Sequence, residues 1–264
     1  MDRAKWIAAC AQSEEDRILL ARVYDRYALG ERRGICTASC FLSPRERVLA
    51  ERLLRGAGYE SPRFFGGTPE AERTVCVYLP DYLTEEELSG EDGPLTAFRA
   101  AFHEGDALTH RDFLGSLMGC GIKRETVGDI YVGAASCDFV VLQEIAPYVS
   151  QNLLSAGRSR LSLTEIPLAE LSVPAAKTRV LSDTVATLRL DSVLSSAFRL
   201  SRGKAAALIE AGRVSLNHLP CVKPDKSVEE GDVFSVQGMG KARLASVQGA
   251  TKKGRISLRL ERYE

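Results

Sequence analysis

Residues 189–217 read RLDSVLSSAFRLSRGKAAALIEAGRVSLN. Asp191 to Phe198 forms one short helix, and Ser201 caps a second that runs to Ala211, with Gly212 as a left-handed stop. Leu194, Leu208 and Ile209 fall at helical spacing on an apolar face. Arg213 to Asn217 then reads as a strand entering a turn, and a second turn at Glu230-Gly231-Asp232 leads into a strand over Val233 to Val236. With Thr184 to Arg189 as an extended lead-in, the segment predicts two small helices followed by a twisted antiparallel sheet, a compact α+β domain over residues 182–264.

Charge is arranged around this module. Formal net charge is zero, but residues 181–264 carry 14 Lys+Arg against 9 Asp+Glu, whereas residues 61–180 carry 10 against 17. Arg199, Arg202 and Lys204 gather at the start of the second helix, where free N–H groups and the positive end of the dipole favour phosphate. Arg213 lies past the end of that helix, and Lys223 and Lys226 follow in the next loop, so together these residues can line one concave positive face.

Upstream, residues 63–175 predict a second α+β domain. Leu95 to Phe102 fits a strand, Arg111 to Met118 a helix, Asp129 to Gly133 and Cys137 to Leu142 strands, Glu144 to Leu154 a helix and Arg160 to Ile166 a strand. That βαββαβ order is the split βαβ arrangement of ferredoxin-like folds, which many RNA-recognition domains share. The aromatic signature for stacking bases on such a sheet is thin: Phe139 stands alone in the third strand, and Phe98 and Phe102 fit a core equally well. Before it, Thr74 to Leu79 reads as a strand, and acids at Asp81, Glu85, Glu86, Glu87, Glu91 and Asp92 read as a solvated loop. Residues 1–62 read as helices, with capping patterns at Ser13-Glu14-Glu15-Asp16 and Ser43-Pro44-Arg45-Glu46.

The 189–217 segment, followed by VEEGDVFSVQGMGKARL at residues 228–244, resembles the S-four RNA-binding domain, named after the fourth protein of the small ribosomal subunit. The resemblance combines an Arg-Leu-Asp helix start, a Ser-Arg-x-Lys second helix, an Ala-Gly-Arg-Val stop and a Gly-Asp pair before the last strand. Gly203 and Asn217-His218 depart from the usual pattern. THRDFLGSLMGCGIKRETVGDI at residues 109–130, with Gly240-Lys241-Ala242-Arg243 and Thr251-Lys252-Lys253-Gly254-Arg255, is similar to the YlmH family of bacterial S-four proteins. That resemblance implies association with the large ribosomal subunit in rescue and quality control of stalled translation, with rRNA and tRNA as partners; a role in cell division has also been attached to the family.

The expected RNA-binding residues are therefore Arg189, Arg199, Ser201, Arg202, Lys204, Arg213, Asn217, Lys223, Lys241, Arg243, Lys252, Lys253 and Arg255, with Lys123 and Arg124 as a secondary contact. The helix-start cluster is the expected principal grip, and Lys252-Lys253-Arg255 is its rival.

Other chemistry finds little support. Seven scattered cysteines show no Cys-x-x-Cys pair, so neither a zinc site nor a disulfide framework is expected. His110-Arg111-Asp112 resembles a kinase catalytic loop, but the remaining kinase elements are missing, and no G-x-G-x-x-G follows a strand. Asp106 or Asp129 as an enzymatic base stays open on residue type alone. The N-terminus lacks an apolar signal core and no apolar run approaches membrane-spanning length, which points to the cytoplasm. The reading is a non-catalytic RNA-binding protein without cofactor or metal. The alternatives are an adaptor for division or ribosome assembly, with a protein partner bound through the N-terminal or central domain, and an RNA-modifying enzyme.

Overall fold

The computed structural model describes residues 3–90, 92–175, 177–250 and 254–263. They form two compact units, Met1–Pro174 and Ala175–Glu264.

The first unit begins with helices α1 (Arg3–Cys10) and α2 (Glu14–Arg33), strand β1 (Thr37–Leu42) and helix α3 (Pro44–Gly56). Both expected caps form: Ser13 Oγ accepts from Asp16 N, and Ser43 and Glu46 close a reciprocal capping box. Asp16 is also held at 2.7 Å by both terminal nitrogens of Arg45, which ties the first turns of α2 and α3 together. This region is not all helix, because β1 lies between the two caps and carries Phe41 and Leu42, both fully buried. β1 pairs with β3 (Thr74–Tyr78), which pairs in turn with β2 (Arg63–Phe65), in the order β1-β3-β2. Strands from both sides of residue 62 thus share one sheet.

The βαββαβ segment is built as expected: β4 (Leu95–Ala101), α4 (His110–Gly119), β5 (Val127–Val132), β6 (Ser136–Leu142), α5 (Ala146–Asn152), a two-residue hairpin β7 (Ser155–Ala156) with β8 (Ser159–Arg160), and β9 (Ser162–Ile166). The sheet order β5-β6-β4-β9, antiparallel throughout, sets the first and third strands side by side in the centre. One face packs Phe98, Phe139 and Val141 against Phe113 and Leu117 of α4 and Val149 of α5. The other packs Ala97, Val140 and Leu142 against Phe41, Val75 and Val77 of the three-stranded sheet.

Two layers of sheet therefore meet face to face, and Gly128 permits their close approach. A Cβ there would lie 2.7 Å from the Phe41 ring. Gly128→Ala is expected to lower stability by roughly 1–3 kcal/mol through overpacking, read as a lower urea midpoint with an unchanged slope.

The second unit has β10 (Thr178–Val185), α6 (Leu190–Phe198), α7 (Arg202–Glu210), β11 (Val214–Leu216), β12 (Leu219–Pro220), β13 (Val233–Val236), β14 (Gly240–Ala250) and β15 (Ile256–Tyr263). Its six strands run antiparallel in the order β10-β15-β14-β13-β11-β12. Leu190, Val193, Leu194, Phe198 and Ile209 of the helices pack on Phe234, Val236, Leu244, Leu258 and Leu260. The extended lead-in starts earlier than the sequence suggests, at Thr178, because β10 pairs with β15 along its whole length.

Candidate nucleic-acid interface

The junction of α6 and α7 is made by Arg199, which takes a left-handed conformation (φ 53°) that ends α6 two residues before Ser201 caps α7. Ser201 Oγ accepts from Lys204 N at 3.3 Å, so its visible role is to fix the helix start rather than to face a ligand. The side chains of Arg199, Arg202 and Lys204 are all exposed there.

Beneath them lies Asp191, in the first turn of α6 and only 4% exposed. Arg189 donates to its two oxygens at 3.2 Å each, and Arg202 Nε donates at 3.0 Å. Burial opposes a charge on Asp191, but these hydrogen bonds outweigh it and hold the carboxyl below its ordinary range. Each guanidinium is thereby oriented on its inner edge while its outer edge faces water, which pre-pays part of the ordering cost of binding a phosphate.

A group that ionises more readily when folded stabilises above its ordinary pKa and loses that contribution as pH falls through the lowered value. Asp191→Asn is expected to cost about 1–3 kcal/mol at pH 7, since its arginine partners are partly solvated. The difference between variant and parent should shrink in urea titrations repeated as pH falls below the ordinary carboxylate value, and vanish only below the lowered one.

Arg199 and Arg202 open onto a cleft of about 430 Å³ that Arg255 lines from the other side. Arg255 Nε donates to Thr184 Oγ1 at 2.9 Å, and its terminal nitrogen donates to the Thr184 carbonyl, so the start of β15 delivers this cation to the end of β10. Asp183, Ser192, Ser195 and Ser196 also line it, with Ser196 Oγ donating to the Asp183 carboxylate at 2.6 Å and Ser195 Oγ to the Leu200 carbonyl at 2.7 Å. Three cations against the single carboxylate of Asp183 leave the cavity net positive, which suits a phosphodiester.

The other expected residues separate into groups. Lys223 and Lys226 belong to a loop that runs beside the start of α6, where Leu190 N donates to the Lys226 carbonyl and Asp191 N to that of Pro224. Arg213 is exposed and donates to the Gln237 carbonyl at 3.3 Å. Lys241 and Arg243 alternate along β14 with the core residues Ala242 and Leu244, so they project from the sheet face opposite the helices. Lys241 Nζ sits 4.8 Å from the Tyr263 ring centroid. Lys241 and Arg243 therefore stand apart from the α6–α7 junction, on the other face of the sheet. Lys252 and Lys253 lie outside the described residues.

Two expected contacts are engaged internally. Asn217, with His218, forms a left-handed two-residue turn between β11 and β12. Its amide donates to the buried Asp232 at 2.7 Å and accepts from Val233 N at 2.9 Å. It braces the hairpin. Arg124 is half-buried and donates to the carbonyls of Val127 at 2.6 Å and Gly128 at 3.2 Å, while Lys123 beside it is exposed.

Asp129 acts just as locally. It accepts from the amides of Glu72 at 2.7 Å and Arg73 at 3.2 Å and latches the preceding loop to β5. Burial raises its pKa. Asp112 of the kinase-like string is the capping acid of α4, accepting from Thr109 N at 2.8 Å.

Two family models match the chain. Residues 102–170 match the putative RNA-binding domain in YlmH, and residues 188–234 match the S4 domain. The ribosome-associated protein quality control protein P2 of Bacillus subtilis is 36% identical over 225 residues, covering 85% of this chain and 86% of that protein. The chain belongs to the YlmH family. A solved structure, the cell division protein ylmH from Streptococcus pneumoniae, shares the fold, with a TM-score of 0.52 at 21% identity over 62% of this chain and 98% of the other. The S4 match spans α6, α7 and β11 to the start of β13, and so contains Asp191, Arg199 and Arg202; Arg255 lies beyond it. Within the family domain at residues 102–170, Phe139 offers no stacking platform, and neither does Phe98 just before it, since both are at most 1% exposed and lie between the sheet and its helices.

Proposed function

We propose that this member of the YlmH family grips structured RNA, both rRNA and tRNA, on the large ribosomal subunit and acts without catalysis in the rescue or quality control of stalled translation. The observation that carries the reading is the pair Arg189 and Arg202, held by one buried carboxylate beside the Arg199–Arg255 cleft. Preset cations around hydroxyls favour a phosphate backbone over any one base, so recognition is of shape. The quality-control relative supports the ribosomal setting. A cytoplasmic location accords with it.

Co-sedimentation of the full chain with purified large and small subunits across a salt series tests the proposal. The expected result is salt-sensitive retention on the large subunit, with rRNA and tRNA recovered after crosslinking; recovery of messenger RNA alone would refute it. Incubation with rRNA and tRNA, with and without S-adenosylmethionine, is expected to leave the nucleoside masses unchanged, and one new modified nucleoside would make the protein an enzyme.

A further inference from the structure

Strand β1 is an edge strand, paired with β3 on one side only. Its other side is lined by a cleft that six consecutive residues, 35–40, help to form. Two adjoining cavities of about 590 and 380 Å³ share Arg26, Leu29, Ser39, Cys40 and Glu125. This region lies outside both matched family domains apart from its far wall.

An edge strand presents backbone N–H and C=O groups at alternate residues, and a cleft along such an edge can seat an extended segment that continues the ladder. Four residues span about 13 Å, the length of a short strand. The cleft also has ends: Ile35 N already donates to the Gly30 carbonyl at 3.1 Å, the Cys40 carbonyl accepts from Ser39 Oγ at 2.7 Å and the Phe41 carbonyl accepts from Arg73 at 3.3 Å, so pairing is confined to residues 36–39.

The walls differ in charge. α2 contributes Arg22, Arg26 and Arg33, while Glu125 and Glu144 stand on the side of the central sheet. Arg22 pairs with Glu125 at 3.3 Å and narrows one end, leaving the exposed Arg26 and Arg33 along the helix wall. A strand laid here would point alternate side chains toward α2 and toward Leu142 and Glu144. RNA suits the cleft less well, because Glu125, Glu144 and Asp25 would face its phosphates and a strand edge offers acceptors as often as donors.

We infer that this cleft docks an extended segment of a partner protein, acidic at alternate positions, as a fourth strand added to the open edge of β1. The acids face Arg26 and Arg33, and the intervening small apolar residues face Leu142.

The full chain, labelled with ¹⁵N, is titrated with a synthetic peptide of alternating Val and Glu, with the same peptide N-methylated at alternate amides, with a Val-Lys peptide and with oligouridylate. The expected result is a shift of the amides of residues 36–39 with the Val-Glu peptide alone, and binding weakened by about tenfold in Arg26→Glu/Arg33→Glu, whose melting is unchanged because both side chains are exposed. Undisturbed amides at millimolar Val-Glu peptide would overturn the proposal. So would equal binding of the N-methylated or Val-Lys peptide, or tighter binding of oligouridylate at the same residues. If the double variant melts early, the N-methylated peptide against the parent chain decides the matter alone.

Discussion

Replacing Arg199, Arg202 and Arg255 together by Ala is expected to weaken binding to a tRNA or rRNA hairpin by about 100-fold, at roughly 1 kcal/mol for each exposed phosphate contact. The slope of log affinity against log salt should fall by about two to three units, close to 0.9 for each phosphate no longer neutralised. Melting should stay close to the parent, because Asp191 keeps Arg189 as a partner at 3.2 Å when Arg202 is removed. Lys241→Ala/Arg243→Ala, on the opposite face of the sheet, serves as the comparison. If that pair costs more affinity than the three arginines, the cleft is not the principal grip. Should both sets bind like the parent with an unchanged slope, the electrostatic reading of this unit fails altogether.

The triple variant joins what the sequence presents as rivals. Arg255 lies 53 residues beyond Arg202 and reads along the chain as a companion of Lys252 and Lys253. The pairing of β10 with β15 carries it back to Thr184, at the mouth of the cleft that Arg199 and Arg202 line. Such a meeting depends on which strands pair, and spacing along the chain holds no record of it. The helices were legible because their signals are local: Ser201 caps at the expected place and Gly212 takes φ 69°.

Asp191 shows the reverse case. Its identity is plain in the Arg-Leu-Asp string, but its role needs Arg202, eleven residues on, to fold back across it. The pattern that could have revealed it is an acid in the first turn of an apolar helix, flanked by basic residues that have no other acid nearby. Arg124 and Asn217 mislead for a related reason, since a basic or amide side chain in a loop looks available until the carbonyls and carboxylate it serves are known. Strand β1 escaped because six residues between two strong helix caps carry too little alternation to outweigh their helical surroundings.

Phe139→Ala is expected to destabilise the first unit by about 3–5 kcal/mol, as a buried aromatic truncation does. Phe139 is fully buried, its ring 5.6 Å from that of Phe98, and both belong to the cluster that includes Phe113 and Val149. The opposite face of the sheet is no better placed to stack bases, because Ala97, Val140 and Leu142 are covered by Phe41, Val75 and Val77. A ferredoxin-like sheet that binds RNA through its open face would lose affinity and keep its stability when such a ring is cut. Here the order should invert: a lower urea midpoint for Phe139→Ala, with RNA affinity near that of the parent where the variant remains folded. Unchanged stability with at least tenfold weaker RNA binding would mean that the aromatic pair reaches nucleic acid after all, and that α4 and α5 lift from the sheet to admit it.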